Sequence, residues 1–258
     1  MAERFHAEFQ HLVQFQNEVA GFHPVFGCSY PMALVDNQQF LIYDRPDGTG
    51  NYTLMKTVPT PMPIPEGVLA AFPLAAYGGQ TAAVVTNTVF DQPDGLVMIL
   101  HEFVHCYQAR TCLQDLREQL IICQEEEKRG HITWEIDHPF PYSDAAFVTA
   151  YTDFLQALER SDSEAVMRFR QDLREVLSNR DYEYMVWEEW TEGFARWKEN
   201  RLREYVNLPR VDIGTILPYN RVTFYVGGAV YIDLLVQRDP ELQFDFPALF
   251  KAMMAGEV

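Results

Sequence analysis

One stretch, Leu96-Val-Met-Ile-Leu-His-Glu-Phe-Val-His-Cys-Tyr107, constrains this chain more than any other. From position 95 to 107 the sole charged side chain is Glu102, so the segment predicts a helix running through a domain interior. His101 and His105, four apart, share one helix face about one turn from each other, and both imidazoles can reach a single metal ion. Glu102 projects roughly 100° around the helix from His101, beside a metal-bound water yet outside the coordination positions. Asp91 or Asp94 is placed to cap the helix start, with Pro93 in the first turn. A buried helix with two hydrogen-bonded histidines is the plainer alternative. The metal reading accounts for the histidine spacing and the lone acid together.

The rest of the composition bounds the answer. A chain of 258 residues suffices for one large domain or two tightly joined lobes with a full core. Apolar residues at 48% and aromatics at 14% indicate a folded protein. A formal charge of -17 argues against nucleic acid or an anionic membrane as partner. The first residues contain no apolar core of a secretory signal, and the longest apolar passage, 68–85, is broken by Pro73, Gly78, Gly79 and Gln80. Cys28, Cys106, Cys112 and Cys123 show no CxxC spacing, so reduced thiols in a cytoplasmic protein are expected.

Along the chain, residues 1–20 predict an amphipathic helix with Phe5, Phe9, Leu12 and Phe15 on its apolar stripe, and with His6 and His11 at the surface. Two strands, 32–35 and 39–43, predict a hairpin around Asp36-Asn37; a third strand follows at 52–55. Residues 57–65 read as an extended proline-rich connector and 66–72 as a short helix. The β-branched segment 78–90 predicts a strand leading into the motif helix, at the edge of a cleft where a peptide can pair with it. Beyond the motif come a charged helix around 125–128 and an irregular passage over 131–142. Helices are then expected at 145–159, at 163–178 with Ser161 or Ser163 as cap, at 182–205 and at 222–236. Strands early and helices late make the fold class α+β.

A catalytic zinc site needs a third protein ligand. Gln108 and Thr111 stand where the metzincin continuation requires glycine and histidine, which excludes that class. Two glutamates remain. Glu125 lies 20 residues after His105, but within an acidic run of the kind that covers a solvated helix face. Glu192 is followed by the small residues Gly193 and Ala195, while Trp187, Trp190, Phe194 and Trp197 stripe the opposite side of the helix. That contrast of faces favours Glu192. Its plainer reading is a surface acid paired with Arg196.

Thr191-Glu-Gly-Phe-Ala195 resembles the Asn-Glu-Gly-Phe-Ala segment of gluzincin metallopeptidases, and Tyr225-Val-Gly-Gly-Ala229 resembles their Tyr-x-x-Gly-Ala helix. With the His101–His105 motif, three segments stand in the order of the aminopeptidase-N-like catalytic domain. The resemblance spans about residues 78–236. It implies a zincin-like fold, one Zn2+ held by His101, His105 and Glu192, and Glu102 as general base. It also implies Tyr225 as the donor to a tetrahedral oxyanion; Tyr219 and Tyr231 are the fallback donors. The segment here is Gly78-Gly-Gln-Thr-Ala82, lacking the glutamate with which aminopeptidases hold a free amine, and residues 108–181 would be an insertion. Arg196 replaces the aspartate found four residues after the ligand in thermolysin-like enzymes, so the group orienting the histidines is not evident.

The sequence therefore predicts a single zincin-like domain over 1–258, with a strand-rich lobe and active-site helix over about 1–107 and a helical lobe over 108–258. Its expected activity is zinc-dependent hydrolysis of a peptide or protein substrate, in the cytoplasm, without nucleic acid or membrane. Two rivals differ in class. A carboxylate-bridged di-iron oxidoreductase would use Glu102-x-x-His105 and Glu135-x-x-His138, although Pro139 and Pro141 oppose the required helix. A non-catalytic member would hold metal or peptide without cleavage.

Overall fold

The computed structural model describes residues 4–256. Among the described residues are ten α-helices and a five-stranded sheet, with the strands in the first third, so the class is α+β. The chain divides into two compact units, Met1–Thr111 with Arg201–Pro209, and Cys112–Asn200 with Arg210–Val258.

The first unit opens with α1 (His6–Val19), whose stripe of Phe5, Phe9, Leu12 and Phe15 is buried as its spacing requires. β1 (Met32–Asp36) and β2 (Gln39–Asp44) form the expected hairpin. Its turn residues, Asn37 and Gln38, both take positive φ (50° and 58°), the backbone that matches the twist of paired strands. β3 (Thr53–Pro59) extends into the expected connector, because Thr57, Val58 and Pro59 find ladder partners on β2. Pro59 is tolerated there at the end of an edge strand.

Two expectations fail in the same place. Residues 66–72 do not form a helix: Leu69–Leu74 is β4, antiparallel to β5 (Gln80–Thr86). Ala70 and Ala71 favour helix and Phe72 favours strand, and the offered ladder of Val84, Ala83 and Ala82 decides. The sheet order is β3-β2-β1-β5-β4, so β5 is an interior strand and not the edge of a cleft. β1 and β5 pair in parallel and the other neighbours antiparallel. Ala33, Val35, Phe40, Ile42, Ala82 and Val84 form one buried face, covered by Val58, Ile64, Val68 and Phe72. On the other, Met32, Leu34, Ala83 and Val85 are also buried, and Phe9 of α1 meets the Tyr43 ring at 4.4 Å. Burial on both faces explains why β1 and β5 are continuous apolar runs without alternation.

The motif helix, α2 (Gly95–Thr111), packs against β4 and β5. Its first residue must be glycine, because an added Cβ at Gly95 would lie 1.8 Å from the Val89 carbonyl oxygen. Asp94, just before the helix, pairs with Arg203 at 2.5 Å.

The second unit contains α3 (Leu113–Arg117), α4 (Ile121–Lys128), α5 (Trp134–Asp137), α6 (Ala145–Glu159) and α7 (Ser163–Val176). It continues with α8 (Asn179–Tyr205, whose end belongs to the first unit), α9 (Arg221–Arg238) and α10 (Phe246–Ala255). α6 has the expected bounds, with the Asp144 carboxylate accepting from the Ala146 and Phe147 N–H groups. The cap of α7 is Asp162 and neither serine, since its carboxylate reaches the Ala165 N–H. α10 lies beyond the last helix indicated by periodicity. Its Phe246 and Phe250 pack edge-on against Trp190, at 6.0 and 5.5 Å between ring centroids. The stripe of Trp187, Trp190, Phe194 and Trp197 is thus core, as expected.

Where α8 meets α9 the backbones touch. A Cβ at Gly193 would stand 2.8 Å from the Gly228 Cα, and one at Gly228 only 2.1 Å from the Glu189 carbonyl oxygen. Beside this crossing Arg170 pairs with Glu189 at 2.6 Å, and the Tyr151 hydroxyl donates to the same carboxylate at 2.9 Å. All three side chains are buried, so each charge has its partner inside the protein. No helix among the described residues is long and apolar enough to cross a membrane. The four cysteines are thiols, with Cys106, Cys112 and Cys123 buried.

Candidate metal centre

α2 presents its two histidines as the spacing requires. His101 is buried and His105 half-buried, and their Nε2 atoms lie 3.2 Å apart. Nitrogens bound to one tetrahedral zinc at about 2.0–2.1 Å would be separated by about 3.3 Å, so the pair has the separation such an ion needs. Gln108, one turn further on, places Oε1 3.0 Å from His105 Nδ1. An acceptor there keeps the proton on Nδ1 and turns the Nε2 lone pair toward His101, the orienting role that outer partners of metal histidines perform. Glu102 is buried on the same helix.

Glu192, on α8, is half-buried. Arg221 at the start of α9 sends Nη2 to Glu192 Oε1 at 3.2 Å and Nε to Glu188 Oε2 at 2.7 Å. Glu188 is fully buried, one helical turn before Glu192. Burial pushes its carboxyl up to about 8, against the pull of the Arg221 guanidinium. Tyr225, one turn after Arg221, lies against the same group: the guanidinium is 5.5 Å from its ring, and the Glu192 charge acts on its hydroxyl. Burial, and then the Glu192 charge, raise the Tyr225 hydroxyl well above the usual range, so it stays protonated at any physiological pH.

One ligand atom from each of His101, His105 and Glu192 falls within 4.8 Å of the others. Two imidazoles and one carboxylate so grouped could hold a metal ion. No family model, curated protein or solved structure matches this chain. The candidate site therefore stands on its own geometry.

The competing candidates have other occupations. Glu125 is 41% exposed and pairs with Arg180 at 3.4 Å. Glu135, in the single turn of α5, pairs with Arg117 at 3.0 Å, and His138, just after that turn, with Asp181 at 2.8 Å. Arg196 pairs with Glu199 at 3.3 Å. The Tyr219 hydroxyl shares a 2.8 Å hydrogen bond with Thr152, and the Tyr231 ring is enclosed beside Arg170 and Phe154. Glu189 belongs to the buried Arg170 pair described above.

Sequence reasoning missed Gln108 and Arg221. Each carried a readable signal. Gln108 is three residues after His105, on its face of the helix, and Arg221 is four before Tyr225.

Proposed function

We propose that this protein is a zinc-dependent peptidase of the gluzincin type, with His101, His105 and Glu192 holding the metal. The grouping of those three ligand atoms within 4.8 Å carries the reading. The order of the motif, the Glu192 segment and the Tyr225 helix along the chain supports it. When bound, zinc supplies a Lewis acid and a water acidic enough to lose a proton near neutral pH. With the metal bound, Glu102 would serve as the general base beside it, accepting a proton and returning it to the leaving amine. Tyr225, held protonated, donates to the oxyanion of the tetrahedral state. Peptides or proteins are the substrates, and the thiol state of all four cysteines fits a cytoplasmic setting.

Elemental analysis of protein purified without added metal is expected to give one zinc per chain. Glu192→Ala is expected to lose it, while Glu125→Ala retains it. Two irons per chain, or the reverse behaviour of the two variants, would overturn the assignment. Tyr225→Phe is expected to lower kcat by about 10²-fold or more, with KM little changed, because its hydrogen bond forms fully only in the transition state. Steady-state kinetics on a cleaved peptide checks this. A full kcat in Tyr225→Phe would remove the tyrosine from the reaction.

A further inference from the structure

We infer that Arg221 is a positioning residue for the third ligand: its guanidinium fixes the Glu192 carboxylate for metal, using buried Glu188 as the anchor. The inference rests on the proposed zinc site and assigns a role that the motif residues do not contain.

Glu188 and Glu192 are four apart, so both carboxylates lie on one face of α8. Two carboxylates so placed repel each other whenever both are ionised, and a cation between them relieves that repulsion. Arg221 meets both with separate nitrogens, Nε at 2.7 Å and Nη2 at 3.2 Å. A guanidinium is a rigid planar fork, so fixing Nε on Glu188 fixes where Nη2 points. Glu188, 1% exposed, is the immobile end, and Glu192, 18% exposed, is the end that is held.

Arg221 is itself held from three directions. Asn220 and Thr223 close a reciprocal cap around the start of α9, which fixes the backbone that carries it. The Tyr225 ring lies against its guanidinium. The Gly193–Gly228 approach sets the distance from α8. A carboxylate so fixed loses less freedom on meeting a metal ion, and outer partners of this kind typically affect metal affinity by about 10–100-fold.

Lysine keeps the charge but presents one compact ammonium, which cannot serve both carboxylates in fixed geometry. Zinc affinity, measured by competition with a chromophoric chelator, is expected to fall about 10–100-fold in Arg221→Lys. Circular dichroism and thermal melting check that the variant is folded. Glu188→Gln keeps the anchor's shape but exchanges one of its two acceptor oxygens for an amide nitrogen that cannot accept from Nε, and is expected to weaken zinc binding in the same direction. It serves as the test if Arg221→Lys fails to fold. Cobalt-substituted protein gives a readout that a merely structural role would not move. Its visible absorption is expected to change in Arg221→Lys and to stay unchanged in Arg180→Lys, a substitution at the Glu125 pair. Wild-type zinc affinity and cobalt spectra in both Arg221→Lys and Glu188→Gln would overturn the inference and leave the zinc site intact. A wild-type protein that binds no zinc, or a Glu192→Ala variant that binds it fully, would overturn both.

Discussion

Glu102→Gln is expected to keep its zinc and lose at least about 10²-fold in peptide hydrolysis, the lower end for removal of a general base. Glutamine has nearly the size and shape of glutamate, and the position is buried, so packing in α2 is preserved. The amide cannot accept a proton, which is the property the proposed reaction asks of this side chain. The histidines that precede and follow at positions 101 and 105 are unaltered, so metal content separates a chemical loss from a lost site. A peptide library read by mass spectrometry supplies the substrate, and kcat and zinc content are then compared between wild type and variant. Undiminished hydrolysis in the zinc-loaded variant would place the base elsewhere.

Gly228→Ala is expected to be the most damaging one-methyl change in the second unit. The new Cβ would stand 2.1 Å from the Glu189 carbonyl oxygen and 2.6 Å from its Cα. Backbone has no alternative rotamer, so relief requires α8 and α9 to separate. Overpacking costs of about 1–3 kcal/mol are usual, occasionally more, and this contact belongs at the upper end. Alanine returns about 1 kcal/mol through helix propensity, which leaves a net loss of about 2 kcal/mol. Urea unfolding would show a lower midpoint at unchanged slope. Gly21→Ala, where an added Cβ meets nothing within 4 Å, is the control, and should change stability by no more than about 0.5 kcal/mol. Equal midpoints for the two variants would mean that the helices tolerate separation.

The site was legible in the sequence to the extent that it lies on single helices. Helical spacing alone places His101, Glu102 and His105, and the contrast between the tryptophan stripe and Gly193 marks the face of Glu192. Arg221 escaped because its meaning depends on Glu188 and Glu192, which are about 30 residues away along the chain. The same physics separates the correct elements from the mistaken ones in the fold. α6 announces itself through an aspartate cap and an apolar period, both local. β4 consists of residues of mixed preference, and only its partner β5 makes it a strand. α10 did carry a local signal, Asp245 followed by Pro247 in the first turn, ahead of a strongly apolar run.

The tie between Asp94 and Arg203 bears on how the protein is made. More than a hundred residues separate the two, and α8 ends among the residues that complete the first unit. On a ribosome, every strand of the sheet emerges long before Arg203 exists. The first unit therefore cannot finish as an independent N-terminal piece, and its closing segment arrives only after most of the helical unit has been synthesised. Synthesis follows the order of the chain: the sheet strands are made first, the helices of the second unit follow, and the arginine that meets the start of the motif helix comes after them.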